Sequence, residues 1–434
     1  MKLKELESEK VLILGFGREG KDSFSFFRKL FPKKMLGIAD QKKIQIPKSK
    51  FRNVRLHLGK DYLKALKNYD VIIKSPGIPF KILPKAALKK ITTQTEIFFD
   101  NCPGKIVGIT GTKGKSTTTS LIYQILKQGG FKAHLVGNIG KPVLNLLFSA
   151  APKDVYVYEL SSHQLCNLKK SPNVAVFLNI YPEHLDYYNN FNEYLAAKQN
   201  IARYQKKEDY FLYNSESPLV KKTAGITKAR KIPFNSVKFD DIIKREEIPL
   251  IGEFNLQNVK AAIAVGKIFE VPNENIAKAI KNFKPLPHRL EYVGRYRGIK
   301  FYNDALSTIP ETAMAAIDAL GNSVQTIMLG GFDRKIVFKD LAKRVLKSKI
   351  ENVILFPTTG EKIWKEIARA SRGRGLPRHF FADNMSDAVK IAYENTEKGK
   401  ICLLSTASTS FSIFRDYREK GDLFKKYVKK YAKK

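Results

Sequence analysis

An apolar strand pattern (Ile106, Val107, Ile109) runs into Gly111-Thr112-Lys113-Gly114-Lys115-Ser116 and then into a helical pattern carrying Leu121, Ile122, Ile125 and Leu126. Such a turn is a cradle for phosphate. Glycines let backbone N–H groups face an anion, the following helix presents its positive end, and a lysine and a serine add a charge and a magnesium-ligating hydroxyl. The usual phosphate-loop pattern has glycine where this chain has Ile109, so the loop is a shortened form. Its chemistry is hydrolysis of, or transfer from, a nucleoside triphosphate. Gly111, Thr112, Lys113, Gly114, Lys115, Ser116 and Thr117 are the expected nucleotide contacts.

Two further strand patterns end in groups that serve such chemistry. Residues 155–158 lead into Glu159, a carboxylate placed to hold a metal ion, and residues 174–180 deliver Glu183, His184 and Asp186. Ligands bind at the carboxyl ends of parallel strands, so the loop, Glu159 and His184 are expected on one rim. Nearer the N-terminus, a strand at 11–14 precedes Gly15-Phe16-Gly17-Arg18-Glu19-Gly20 and a helix bearing Phe24, Phe27 and Leu30; the next strand, 35–39, ends in Asp40. That is the layout of a dinucleotide-binding unit, and the diphosphate of another nucleotide satisfies the same geometry. A third strand, 71–73, leads into Lys74-Ser75-Pro76-Gly77, a turn whose backbone can approach a ligand.

The elements that position these groups alternate strand and helix along the whole chain. At 434 residues the sequence is long enough for two or three domains. From about Pro285 a third alternating unit begins, with strands at 300–302, 326–329, 353–356 and 401–404 and helices at 311–320, 341–346, 363–370 and 388–395. Prolines at Cys102-Pro103 and Lys284-Pro285-Leu286-Pro287 punctuate the junctions, giving domains 1–102, 103–285 and 286–434. The expected fold class is α/β: a Rossmann-like N-terminal domain, a central P-loop ATPase domain with a mostly parallel sheet, and a C-terminal Rossmann-like domain.

A hydrophobic content of 43% supports globular folding, and no low-complexity tract or solenoid repeat is visible. Cys102, Cys166 and Cys402 are far apart and read as small core residues in a reducing cytosol. No signal peptide and no membrane-length apolar run is apparent, so a cytoplasmic protein without membrane insertion is expected, as a monomer. The formal charge of +37 invites a nucleic-acid role. Lysines are nevertheless spread along the chain, with one terminal cluster at Lys425, Lys426, Lys429, Lys430, Lys433 and Lys434, and solvated faces explain them better. A basic, nucleotide-dependent nucleic-acid-binding module is the alternative of another class; it would leave Glu159 and His184 without a role.

Taken in order, the motifs resemble those of the Mur ligases, within them the branch that adds glutamate. They are Gly-Phe-Gly-Arg-Glu-Gly at 15–20, Ser75-Pro76-Gly77-Ile78, the loop at 111–116, Gly137-Asn138-Ile139-Gly140 and Glu159-Leu160-Ser161-Ser162-His163-Gln164-Leu165. They continue through residues 179–186, Lys198, Gly252-Glu253-Phe254-Asn255-Leu256-Gln257-Asn258, Leu286-Pro287-His288-Arg289 and Leu404-Ser405. The resemblance implies an ATP-dependent ligase of peptidoglycan synthesis that adds glutamate to UDP-N-acetylmuramoyl-L-alanine through an acyl phosphate. It places the uridine diphosphate at Gly17, Arg18, Glu19, Asp40, Ser75, Pro76 and Gly77, and the muramoyl part at Asn138, Ser161 and Gln164. Lys115, Glu159, His184 and Lys198 become the catalytic group. Two Mg²⁺ ions fall to Ser116, Glu159, His184 and Lys198, the last carbamylated; without the resemblance, Lys198 reads as a surface lysine. Asn255 and Asn258 would meet adenine, and Arg289 and Asp304 the phosphates and ribose.

The chain departs from the family where the amino acid is gripped. The usual Asp-Ser-Lys-Ala-Thr-Asn is Asp304-Ala305-Leu306-Ser307-Thr308-Ile309 here, and a second family lysine aligns with Arg334, or less well with Lys335. The glutamate clamp therefore falls to Thr308, Arg334, Ser410 and Tyr417. Arginine's planar fork is not equivalent to a lysine ammonium, which leaves D-glutamate as the default substrate and L-glutamate as the alternative.

Overall fold

Short, almost wholly apolar runs alternating with amphipathic helices build three sheets in the computed structural model, which describes residues 1–44, 53–184, 186–373 and 375–433. In the first sheet, β1 (Val11–Leu14), β2 (Leu36–Asp40), β3 (Val54–Leu58), β4 (Val71–Lys74) and β5 (Ile91–Thr92) lie in the order β3-β2-β1-β4-β5, all parallel. All four residues of β1 and all four of β4 are buried, as expected of strands covered on both faces. The order reverses between β1 and β4, so the turns that follow them open the crevice where such sheets bind ligands.

The second sheet is also parallel throughout. It contains β6 (Lys105–Thr110), β7 (Ala133–Gly137), β8 (Val155–Glu159), β9 (Val174–Phe177), β10 (Tyr210–Tyr213) and β11 (Arg230–Pro233), ordered β11-β10-β9-β6-β8-β7. β6 thus lies between β8 and β9, and its C-terminal loop opens beside Glu159 and the segment after Phe177. The third sheet joins β12 (Glu291–Tyr296), β13 (Ile299–Asn303), β14 (Val324–Gly330), β15 (Asn352–Phe356), β16 (Arg378–Phe381) and β17 (Ile401–Leu404) in the order β12-β13-β17-β14-β15-β16. Only β12 runs antiparallel, against β13. The α/β class and mostly parallel sheets match the expectation.

The chain forms two compact units, Met1–Glu247 with Gln257–Asn282, and Ile248–Leu256 with Phe283–Lys434. The first holds two sheets, and one apolar cluster runs through it from Val11 and Phe27 by way of Phe98 to Tyr156, Tyr158 and Phe177. The second packs helices on both faces of the third sheet, and two clusters fill the layers. The terminal lysines ride on the helix Tyr417–Tyr431 and just beyond it, Lys434 lying outside the described residues. Among the described residues no helix is long and apolar enough to cross a membrane. Cys402 is buried and Cys102 and Cys166 are half-buried; burial pushes the latter two thiols up to about 11, away from nucleophilic use.

The first glycine turn shows how tightly strand and helix are joined. Gly15 O accepts from Ser75 Oγ at 2.8 Å, and a Cβ on Gly20 would stand 2.0 Å from that same carbonyl oxygen. Backbone cannot yield as a side chain can, so Gly20→Ala should cost about 1–3 kcal/mol or more. Gly17, with φ −72° and nothing within 4 Å of an added Cβ, is the control. Thermal denaturation should show a lowered midpoint for Gly20→Ala and an unchanged one for Gly17→Ala; equal midpoints would contradict the close approach.

Candidate functional site

β6 ends at Thr110, and the next residues turn over the N-terminus of the helix Lys115–Gln128. Gly114 caps that helix at φ +85°, where a Cβ would also strike Asn258 Oδ1 at 2.5 Å, so glycine is required twice over. The loop is pinned from the segment beyond β9. Thr112 N donates to Asn179 O (3.0 Å), Lys113 N to Asn179 Oδ1 (2.9 Å), and Asn179 Nδ2 returns a bond to Lys113 O (3.0 Å). Tyr181 N adds a bond to Thr112 Oγ1 at 2.9 Å. Lys115 Nζ bends back to Gly111 O and Thr112 O, both at 2.9 Å, which holds its ammonium over the loop. Lys113 pairs with Glu183 at 3.0 Å.

Glu159 ends β8 at 4% exposure, and its Oε2 is buried without a hydrogen-bond partner. An unsatisfied buried carboxylate oxygen is costly and marks a place for a cation. Among the described residues no group of three or more His, Cys, Asp or Glu converges as a ready-made metal site. Ser116 opens the helix on the same loop.

Lys198 corrects the reading of it as a surface residue. It lies on the inward face of the helix Phe191–Arg203 beside Tyr194, Ala197 and Ile201, at 2% exposure. Its Nζ donates to Gly111 O at 2.8 Å, the carbonyl that Lys115 also uses, and approaches Thr110 Oγ1 at 3.4 Å. Burial, reinforced by the charge of Lys115, holds its pKa well below that of an ordinary lysine, against the pull of Glu183 and Glu159. His184 stands at φ +59° with its ring edge-on to His163 at 4.7 Å. Burial first, then the neighbouring His184, pushes His163 down to about 3, so His163 is a neutral packing partner.

A second part of the site is a cavity of about 340 Å³ at the switch point of the first sheet. Gly17, Arg18, Glu19, Ser75, Pro76, Gly77 and Asn138 all line it. Arg18 spans to the loop after β7 through Asn138 O (3.2 Å) and Gly140 O. Ser161 Oγ donates to Gln164 Oε1 (3.0 Å) and Gln164 Nε2 to Glu19 Oε1 (2.7 Å), which links both residues to the cavity wall. Burial pushes the Glu19 carboxyl up to about 7, against the Gln164 bond and Lys74. Asp40 plays a different part. Its carboxylate accepts from Phe16 N (2.7 Å), bracing the glycine turn, and from Lys42 N (2.8 Å) just beyond its own strand, and it is not among the lining residues.

Asn258 belongs to the first unit, where its Oδ1 accepts from Thr118 Oγ1 at 3.1 Å; Asn255 groups with the second and donates to Ile251 O at 2.8 Å. In the second unit, Asp304 accepts from Ser405 Oγ (2.9 Å) and Leu290 N (3.1 Å). Burial pushes its carboxyl up to about 6, and Arg289 is among the groups opposing this. Arg334 is exposed, 6.0 Å above the ring of Phe411, and Phe332 N to Thr409 O (2.8 Å) ties the two segments. Ser410 and Thr409 are buried with hydroxyls lacking partners, which suits a ligand oxygen. Thr308 lies half-buried between β13 and the helix Pro310–Leu320, and Tyr417 packs edge-on to His288 at 5.9 Å.

Sequence reasoning passed over Lys420, which is 1% exposed and donates to Thr406 Oγ1 at 2.5 Å. Its surroundings, Arg418-Glu419-Lys420-Gly421-Asp422, read as a solvated face. The signal was the helical phase: Lys420, Phe424, Val428 and Tyr431 are the buried stripe of one helix.

The family model described as Mur ligase middle domain matches residues 109–245, and that described as Mur ligase, glutamate ligase domain matches residues 288–408. A curated protein of Acetivibrio thermocellus named UDP-N-acetylmuramoylalanine–D-glutamate ligase is 33% identical, over 98% of this chain and 97% of that protein. Its namesake from Ligilactobacillus salivarius is 32% identical, over 99% and 98%. Among solved structures, the MurF ligase of Thermotoga maritima in complex with ADP aligns at a TM-score of 0.59 with 16% identity, covering 99% of this chain and 97% of that one. The UDP-N-acetylmuramate-alanine ligase MurC of the same organism aligns at 0.59 with 15% identity, covering 98% and 99%. The structural likenesses establish the shared fold. None of these proteins is named for nucleic-acid binding.

Lys420 also gives a stability test. Burial pushes its pKa down to about 7 from 10.5, with Asp304 pulling it back up. Between about pH 7 and 10.5 the unfolded chain then binds more protons at this site than the folded one, so this lysine makes stability rise with pH over that window. Denaturant titrations from pH 7 to 10 should show a shallower rise for Lys420→Met than for the parent; parallel curves would contradict the lowered pKa of Lys420.

Proposed function

The chain belongs to the Mur ligase family, and from that premise we propose that it joins glutamate to UDP-N-acetylmuramoyl-L-alanine at the expense of ATP in peptidoglycan synthesis. The observation that carries the mechanism is the convergence of Lys115 and Lys198 on one loop carbonyl, Gly111 O, with Lys113 and Glu183 beside them. The substrate carboxylate attacks the γ-phosphorus and ADP leaves; the glutamate amine then attacks the acyl phosphate, loses a proton and expels phosphate. Two anions must meet in the first step, so positive charge is the chief catalytic need.

Lys115 and the loop N–H groups neutralise the β- and γ-phosphates as charge moves onto ADP. Ser116, Glu159 and His184 would hold Mg²⁺, which would supply positive charge where the two anions meet; the unpartnered Glu159 Oε2 supports this donor set. Two ions follow if Lys198 is carbamylated, and its burial favours that chemistry. Only the neutral amine attacks CO₂; it loses a proton and becomes an N-carboxylate, an anion suited to Lys113, Lys115 and a metal ion. The cavity at Gly17 to Glu19 and Ser75 to Gly77 would take the uridine diphosphate, and Asn138, Ser161 and Gln164 the muramoyl part. Asn255, Asn258, Arg289 and Asp304 complete the ATP site, and Thr308, Arg334, Ser410 and Tyr417 the glutamate site. Residues 1–102 would then carry the uridine diphosphate site, 103–285 the phosphate loop and 286–434 the glutamate site. The free thiols fit a reducing cytoplasm.

D-glutamate is the proposed enantiomer, supported by the names of the relatives. Leu306, where the family carries a lysine, keeps L-glutamate as the second reading. Coupled ADP release with UDP-N-acetylmuramoyl-L-alanine, Mg-ATP and each enantiomer should show turnover with D-glutamate. Turnover with L-glutamate alone would reverse the choice, and none with either would sink the ligase assignment. Lys115→Ala should lower kcat by about 10²–10³-fold or more. In the same assay Lys198→Ala should lose most activity and regain part of it with added formate or acetate; full activity without them would deny Lys198 a role.

A further inference from the structure

A larger cavity, of about 890 Å³, lies in the first unit on a different set of residues from the site above. Its walls carry Lys81, Lys89, Lys169 and Arg203. The carboxylates that line it are already engaged: Glu96 accepts from Thr92 Oγ1 at 3.1 Å, and Glu193 from Asn189 N and Nδ2 at 3.0 and 2.9 Å. Lys81 donates to Asp186 O at 2.7 Å and Arg203 Nε to Asn200 Oδ1 at 3.1 Å, and each cation keeps further N–H donors for a ligand. Tyr187, Tyr188 and Tyr204 supply aromatic surface to the same space. Flat rings stack on such surface, and the size falls within the range of small-molecule sites, far above that of a bare phosphate.

Tyr187 also faces the substrate side. Its hydroxyl lies 3.0 Å from both Pro76 O and Ile78 O, in the turn that lines the 340 Å³ cavity. Its ring meets His163 at 4.1 Å, the same ring that touches His184. A ligand packed against Tyr187 therefore bears on the Ser75–Ile78 turn through one hydroxyl.

We propose that the 890 Å³ cavity binds a nucleotide-sized anion bearing a flat ring, and that its occupancy is transmitted through Tyr187 to the Ser75–Ile78 turn. A free nucleoside monophosphate and a nucleotide-linked sugar share this chemistry. The coupling rests on the assignment of the UDP-substrate to the smaller cavity; the binding itself does not.

The test uses the full chain saturated with UDP-N-acetylmuramoyl-L-alanine and a non-hydrolysable ATP analogue, so that both assigned sites are filled. Guanosine monophosphate and UDP-N-acetylglucosamine are titrated in separate arms by calorimetry, with inorganic phosphate as the size control. At least one nucleotide should bind at a further saturable site, and Lys169→Glu/Arg203→Glu should weaken it at least tenfold while leaving basal turnover unchanged. Binding of neither nucleotide, equal binding by the variant, or phosphate binding as tightly as the nucleotides would overturn the site. The binding nucleotide should then shift KM for the UDP-substrate at least threefold without moving KM for ATP, and Tyr187→Phe should bind it but lose the shift. An unshifted KM in the parent, or a shift that survives in Tyr187→Phe, would overturn the coupling. Failure of ligase turnover would instead count against the assigned function and leave the calorimetric result standing.

Discussion

Three lysine side chains crowd one short loop, and the arrangement around it limits the repulsion between their charges. Lys115 and Lys198 share Gly111 O, and Lys113 is held by Glu183. Within a few ångströms and out of bulk water, like charges repel by several kcal/mol at the effective dielectric of a protein interior. Loop carbonyls, Glu183 and Glu159 offset part of this, and burial holds Lys198 toward its neutral form. A polyphosphate would relieve the remainder. The loop is thus organised for an anion more highly charged than any group the chain itself supplies.

Parallel sheets make that concentration of charge structurally possible. β6, flanked by β8 and β9, directs three strand ends to one rim, and the segment after Phe177 turns back through Asn179 and Tyr181 to clamp the loop in both directions. The first sheet repeats the device around β1 and β4, where Arg18 and Gln164 join the glycine turn to the loops after β7 and β8. The second unit keeps its own buried ionic centre, with Asp304, Ser405, Thr406 and Lys420 linking two strand ends to the terminal helix.

Much of this was legible in the residues. Apolar stretches within β1, β4, β6, β8 and β14 announce buried parallel strands, and the glycine turns after β1 and β6 announce their ligand chemistry. Strands with polar or exposed positions were harder: β3, β12 and β16 carry Arg55, Glu291 and Arg378, and sheet context rather than residue pattern decides their place. The pattern at 174–180 reads as one strand, yet β9 stops at Phe177 because the following residues leave the ladder to bind the phosphate loop. Lys198 and Lys420 defeated the rule that lysines face water, because what buries them is a specific oxygen at the end of the side chain, which residue type does not encode. Asp40, an acid placed like a ribose ligand, spends one oxygen on the glycine turn and the other on Lys42 N, which residue type does not reveal either.

The chemistry turns on attack by the substrate carboxylate on phosphorus at the Gly111 to Ser116 loop. UDP-N-acetylmuramoyl-L-alanine carrying ¹⁸O in the alanine carboxylate tests it directly, with mass spectrometry of the phosphate released in a complete reaction. The mechanism predicts one ¹⁸O transferred into each phosphate formed from a fully labelled carboxylate. Phosphate without label, alongside normal amide product, would contradict an acyl phosphate intermediate.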